Sequence, residues 1–304
     1  VLRLFKPSQV WVSGPHIENL HHWKKLGANT TTKNGEVVSE CSVIFICVKP
    51  HLLGDAIAGA QSTLSPGKSA KDKLFVSILA GTSINVLKKA LSPFPDARIV
   101  RTMPNTPMTL SVGATVYTPD KSATEKDCEV IEKILACAGI YQQVPETMIN
   151  AVGGLAGSGP AFVSQQVFTQ SPLTNLPPQK PGKYSISESS RFQCIDTKSD
   201  KNLNKMGGGG GGGGGEEALS DGGVKQGLPR AMATKFAAQT VMGAAQMVLE
   251  TGKHPAQLKD EVCSPGGSTI CGMYELEKGG VRASYISAVQ AAVEKSTAMG
   301  KLNE

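Results

Sequence analysis

The 304-residue chain carries little charge: Asp, Glu, Lys and Arg together make up 18% of it, for a net charge of +6. Apart from lysines in 198–205 the positive charge is spread thinly, so no basic stripe marks a nucleic-acid surface and no nucleic-acid partner is expected. No apolar run reaches the ~18 residues a membrane helix needs, and no signal-peptide pattern opens the chain. No membrane partner is expected. The seven cysteines at 41, 47, 128, 137, 194, 263 and 271 include no C-x-x-C pair, which argues against a disulfide framework. A reducing compartment follows; the cytoplasm is expected, with the mitochondrion as the alternative. Cys41 and Cys47 fall in an apolar run and read as small core residues. His21 and His22 sit together on a surface helix, and no metal site is expected.

What is present divides the chain in two. Over 1–146, strand-like and helix-like segments alternate. The apolar runs at 42–48 (SVIFICV) and 74–79 suit strands covered on both faces, 9–13, 98–101, 114–117 and 140–144 complete the set, and helices are predicted at 17–26, 84–91 and 125–137. This is the pattern of an α/β fold with a doubly wound parallel sheet. Over 147–304 strand-like runs vanish and alanine-rich helical periodicity takes over at 231–250 and 281–299. Met232, Phe236, Ala237, Val241, Ala244, Ala245 and Val248 give the first of these more apolar face than a small helical domain covers, which predicts a dimer formed through it. Residues 166–216 fit neither half. They hold Pro172, Pro177, Pro178 and Pro181, then Ser, Lys and Asn, then nine consecutive glycines at 207–215. Such a stretch cannot bury enough apolar surface to order itself, and it reads as a disordered insert.

In doubly wound folds a nucleotide lies across the carboxyl ends of the strands. Four loops fall there: 12–15, 48–50, 79–81 and 103–107. In the last, two prolines bracket Asn105 and Thr106, suggesting an extended loop with a free amide and hydroxyl for a flat polar ring. A G-x-G-x-x-G/A loop, which would cradle a pyrophosphate after the first strand, occurs nowhere. With Val1 in place of a methionine, the expectation is a cofactor domain lacking its first strand, glycine loop and helix. In the second half, Gly266 and Gly267 followed by Ser268 and Thr269 place backbone N–H groups at a helix start, where they can hold a carboxylate.

Six motifs, CVKP at 47–50, RTMPNTP at 101–107, GLAGSGPAF at 154–162, DGGVKQGLPR at 221–230, HPAQLKDEVCSPGGST at 254–269 and LEKGGVRASYISAV at 276–289, resemble those of the pyrroline-5-carboxylate reductases in order and spacing. The resemblance covers nearly all of the chain outside 166–216. It implies reduction of Δ1-pyrroline-5-carboxylate to L-proline with NADPH or NADH, and a helical domain that interlocks with its twin, the dimers building larger homo-oligomers. It implies a cofactor site lined by Ser13, Gly14, Asn34, Val48, Lys49, Pro50, Ala80, Gly81 and Asn105. It places substrate against Ser264, Gly266, Gly267, Ser268 and Thr269, with the Thr269 hydroxyl at the ring nitrogen as the catalytic contact. Neither His51 nor His254 is assigned acid–base work. The segment 12–16 has no Asp or Glu to repel a ribose 2′-phosphate, which predicts that NADPH is accepted at least as readily as NADH. The alternative reading is a catalytically impaired fragment that joins intact copies through its helical half.

Overall fold

The computed structural model describes residues 4–67, 70–168 and 214–301. Two short strands come first, β1 (Trp11–Ser13) and β2 (Asn29–Thr31), joined through a 3-10 turn and the helix α1 (His21–Lys25). They pair in parallel as a small sheet of their own. Helix α2 (Asn34–Glu40) leads to β3 (Val43–Ile46), and α3 (Leu53–Ser62) leads to β4 (Leu74–Ser77). Then follow α4 (Ile84–Ala90), β5 (Arg98–Met103), β6 (Gly113–Pro119), α5 (Glu125–Ala136) and β7 (Gly139–Gln143). Strands β3 to β7 form a second sheet in chain order.

The α/β class expected from the alternation is what the chain adopts, with one departure in strand direction. β3, β4 and β5 are parallel, but β6 runs antiparallel to β5 before β7 returns parallel to β6. The reason is length. Residues 104–112 hold only the 3-10 turn Thr106–Leu110, and a parallel crossover needs about a dozen residues or more. Every residue of β4 is buried, as its unbroken apolar run requires. One core lies between β3, β4, α3 and α4 and includes Phe75, Leu79, Leu87 and Ile99; another packs Ile131 and Leu135 of α5 against Val76, Val100 and Tyr117. Cys47 is exposed rather than part of the first core, because β3 ends at Ile46 and Cys47 already belongs to the following loop.

The second half is helical: α6 (Glu146–Val152), α7 (Gly159–Phe168), α8 (Gly214–Lys225), α9 (Arg230–Thr251), α10 (Pro255–Val262), α11 (Ser268–Lys278) and α12 (Val281–Lys301). It is not independent of the sheet. Ala114 and Val116 of β6 share a core with Ile149, Leu155, Met232 and Phe236. Helix α9 also lies on the loop after β5, where a Cβ at Gly243 would come within 2.6 Å of Pro107. Residues 169–213 of the expected insert lie outside the described residues. Its flanks are corrected: α7 continues to Phe168 and α8 begins at Gly214, so the ends of the 166–216 span are helical.

Most of the apolar residues expected to form a surplus face on 231–250 are used within the chain: Met232, Phe236, Ala237 and Ala244 are buried. Met242 and Leu249 of α9 remain exposed, and a further outward apolar face lies on α12, where Ile286, Val289 and Val293 are about half exposed, at 49, 53 and 59%.

Candidate active site

Three strands present their carboxyl ends side by side. Ile46 of β3 pairs with Ser77 of β4, and Ser77 with Arg101 of β5, so the loops that follow open on one edge of the sheet. This brings together Val48, Lys49, Pro50, Ala80, Gly81 and Asn105. Gly81 has φ +71°, the left-handed region that disfavours a side chain, and a Cβ there would meet open space. Ser13 and Gly14 stand instead at the end of β1 in the smaller sheet, and Asn34 opens α2 with its side-chain amide donating to the Ala56 carbonyl at 3.2 Å.

Asn105 departs from the expectation of a free amide. Its Nδ2 donates to the Ala156 carbonyl at 3.1 Å, and its Oδ1 accepts the Ala114 N–H at 2.8 Å. Both ends of the side chain are spent inside the protein, and the residue is buried. Nor is the segment extended beyond Asn105, since Thr106 starts a 3-10 turn. The buried Thr106 hydroxyl has no protein partner and is the polar group this loop leaves available.

Ala156, the partner of Asn105, belongs to a π-helical turn, Gly153–Gly157, set between α6 and α7. Wide turns of this kind are rare and recur at functional sites. Here the turn fits under the loop after β5. The Met103 methyl lies where a Cβ would sit 2.9 Å from it at Gly153 and 3.2 Å at Gly157, so glycine is what allows the loop and the turn to touch. The next residue, Ser158, is buried, and its Oγ is 3.0 Å from the Thr269 Oγ1. The motif that holds Ser158 reads as a plain helix entry in sequence, and nothing in its spacing points to a residue 111 positions away.

Thr269 is the second residue of α11. The turn before it is built by glycine: Gly266 has φ +66°, and a Cβ on Gly267 would come within 2.3 Å of the Ser264 Oγ. Gly267 donates its N–H to the Ser264 carbonyl at 3.0 Å. The first-turn amides of Ser268, Thr269 and Ile270 have no acceptor further back in the helix, which leaves a donor cluster suited to a carboxylate. Ser264, Gly266 and Ser268 are exposed, while Thr269 is buried. Where α11 meets α7, Gly272 faces Phe162, with room for no Cβ between them. Thus a continuous path, from Met103 and Asn105 through the π turn to Ser158 and Thr269, joins the carboxyl edge of the sheet to the turn before α11.

Residues 2–81 match a family described as NADP oxidoreductase, coenzyme F420-dependent, and residues 216–299 match pyrroline-5-carboxylate reductase dimerisation. Among curated proteins, the chain is 36% identical to pyrroline-5-carboxylate reductase of Escherichia coli K12 over 298 residues, covering 97% of this chain and 89% of that protein. It is 35% identical to the enzyme of Methanosarcina acetivorans, covering 91% and 82% of the two chains. The chain belongs to the pyrroline-5-carboxylate reductase family. The relative in Arabidopsis thaliana is 36% identical over 90% of this chain and 79% of its own. Among solved structures, the pyrroline-5-carboxylate reductase of Coxiella burnetii aligns with 97% of this chain and 90% of its own at 26% identity and a TM-score of 0.49.

For the nicotinamide cofactor of such a reductase, the residues present fit. Gly81 leaves open space at the strand edge, the Thr106 hydroxyl is a buried donor without a partner, and Lys49 is an exposed cation in the loop after β3. Among the described residues no cluster of His, Cys, Asp and Glu has the arrangement of a metal site, and no helix is long and apolar enough to cross a membrane.

Proposed function

We propose that the chain reduces Δ1-pyrroline-5-carboxylate to L-proline with NAD(P)H, and that the Thr269 hydroxyl, held by its hydrogen bond with Ser158, is the catalytic contact with the imine. The observation that carries the reading is the meeting of that pair, at 3.0 Å, with the amide cluster at the start of α11. The substrate carboxylate is held by the backbone around Gly266, Gly267, Ser268 and Thr269, with the exposed Ser264 hydroxyl beside it. The Thr269 hydroxyl donates to the ring nitrogen, and Ser158 donates to Thr269, so the pair is oriented outward. Both hydroxyls are shielded on the protein side, where a hydrogen bond is worth more than in water. A bound nicotinamide supplies the hydride for the C=N carbon. As hydride reaches the carbon, the ring nitrogen takes its proton from water, so no histidine or carboxylate is required at the site. Holding two planar reactants face to face is the protein's main contribution, worth several kcal/mol.

Cofactor binding is assigned to Ser13, Gly14, Asn34, Val48, Lys49, Pro50, Ala80 and Gly81, with Asn105 acting by fixing the loop that carries Thr106. The cofactor domain is assigned to 1–146 and the substrate and dimerisation domain to 147–304. The test is to purify the full chain and follow NADPH oxidation with pyrroline-5-carboxylate, then repeat with NADH. Turnover is expected, with a KM for NADPH no higher than that for NADH, because 12–16 offers no acidic side chain to a 2′-phosphate. A chain that binds NADPH but leaves the imine unreduced would refute the assignment; a strong NADH preference would refute only the cofactor reading.

The partner is a second copy of the chain. The face of α12 carrying Ile286, Val289 and Val293 is the surface that copy covers, within the span matching the dimerisation family. Dimers of this kind are proposed to assemble further into rings. Val289→Asp places a charge in the middle of the face, and the mass measured by light scattering is expected to fall from dimer or higher to monomer. An unchanged mass would remove α12 from the interface. Six free cysteines among the described residues suit a cytoplasmic compartment.

A further inference from the structure

We propose that Glu146, paired with Arg101, is a positioning residue that locks the loop after β4 onto the helix leading to Ser158 and Thr269. The proposal rests on the reductase reading. Arg101, in β5, has a buried side chain, and its two terminal nitrogens reach into the first turns of α6. Nη1 donates to Glu146 Oε1 at 2.9 Å, and Nη2 donates to Asn150 Oδ1 at 3.1 Å. The same Glu146 oxygen accepts the backbone N–H of Ile84 at 2.7 Å. Ile84 is the first residue of α4, where an amide has no intrahelical acceptor, and it follows directly on the segment 79–83 that carries Ala80 and Gly81.

One carboxylate oxygen therefore joins three things: the end of a cofactor loop, the central strand β5, and the helix α6 that runs through the π turn to Ser158. None of these elements depends on the contact for its own formation. α4 has its own cap, since the Ser83 hydroxyl accepts the Val86 N–H. α4 is tied down again at Lys88, which pairs with Asp120 at 2.9 Å. Burial alone would raise the Asp120 carboxyl, but hydrogen bonds from Lys88, from the Ser122 hydroxyl and from the Ser122 and Lys121 amides outweigh it and hold it at about 2. β5 is held along both edges by β4 and β6. What the Glu146 carboxylate adds is the relation between elements: it sets how far the loop at Ala80 and Gly81 stands from the path to Thr269. Hydride transfer needs donor and imine carbon about 3–3.5 Å apart and aligned, so this distance bears on rate more than on folding.

The experiment compares the full chain with Glu146→Ala, Glu146→Gln and Arg101→Lys. Glutamine keeps an acceptor for both Ile84 and Arg101; alanine keeps neither. For Glu146→Ala, kcat is expected to fall by about 10²-fold, as a misplacement near 1 Å does, and the NADPH dissociation constant to rise about tenfold. The KM for pyrroline-5-carboxylate should move far less, and Glu146→Gln should recover most of the loss. Hydrogen exchange supplies a readout independent of turnover: peptides covering 79–90 should exchange faster in Glu146→Ala than in the parent, with 254–278 unchanged. If Glu146→Ala does not fold, Glu146→Asp takes its place, because its shorter carboxylate cannot reach both partners, and the same pattern is expected. Unchanged NADPH affinity together with unchanged exchange at 79–90 would overturn the proposal. So would a loss spread evenly over all constants that tracks a lower Tm and that glutamine does not rescue. A parent chain without imine reductase activity would defeat the reductase reading, while NADPH affinity and exchange would still decide the role of Glu146.

Discussion

Replacing Thr269 with alanine is expected to lower kcat for pyrroline-5-carboxylate reduction by about 10²-fold, the usual effect of losing one donor aimed at developing charge. Two losses combine. The ring nitrogen loses its partner, and the buried Ser158 hydroxyl is left facing a methyl group with its 3.0 Å contact gone. NADPH affinity should change by no more than about threefold, because the cofactor edge is built from other strands and an interaction made only in the transition state leaves ground-state binding alone. Thr269→Ser keeps the hydroxyl and is expected to retain most of the activity. Ser158→Ala is the companion experiment: it removes the group that turns the Thr269 proton outward, so it should lower kcat in the same direction without touching any atom that reaches substrate. Steady-state kinetics on the three variants decide the matter. If Thr269→Ala turned over at the parental rate, the hydroxyl pair would be a packing feature and the imine would need another donor.

Gly35→Ala is expected to be strongly destabilising. The added carbon would lie 2.2 Å from the Thr63 carbonyl carbon, 2.3 Å from the Leu64 nitrogen and 2.4 Å from the Ala60 oxygen. All three are backbone, so no side chain can swing aside, and α2 must separate from the end of α3. That also strains the bond from the Gly35 N–H to the Thr63 hydroxyl, 2.9 Å long. Overpacking of this kind costs about 3 kcal/mol, which for a chain of this size lowers Tm by about 5 °C. Gly54→Ala is the control. It lies in α3, a Cβ there meets nothing within 4 Å, and the better helix former should leave Tm equal or slightly raised. Equal Tm values for both variants would mean that α2 and α3 are not packed as described. Because Asn34 stands next to Gly35, a weaker NADPH affinity in surviving Gly35→Ala protein would also be consistent with the cofactor role given to that segment.

The sequence makes legible those elements whose pattern is local. The apolar run at 74–79 suits a strand covered on both faces, and the paired glycines before Ser268 and Thr269 announce a helix start with exposed amides. β6 was readable in part: its direction follows from the shortness of 104–112, a signal present in the sequence but outweighed by the regular alternation around it. The side-chain assignments fared differently. Asn105 looks free beside its prolines, and only the fold brings the Ala156 carbonyl and the Ala114 amide to it. Glu146 and Arg101 are 45 positions apart, and Ser158 and Thr269 are 111 apart; neither pair leaves a trace in spacing. The apolar helix 231–250 has the composition of an interface, yet the rest of the chain claims Met232, Phe236, Ala237 and Ala244, and α12 carries a further outward apolar face. Composition counts apolar surface without saying which neighbour takes it.

The π turn at Gly153–Gly157 also fixes a rotational phase. An α-helix advances about 100° per residue, whereas the wider turn holds an extra residue in nearly the same rise. Everything after it is therefore turned about the axis relative to a regular continuation of α6. Ser158 faces Thr269, and Gly159 and Phe162 face α9 and α11, only in that phase. The turn thus works as an index mark between two halves that would each fold regularly without it: shortening it by one residue would preserve the helix and aim its hydroxyl at the wrong neighbour.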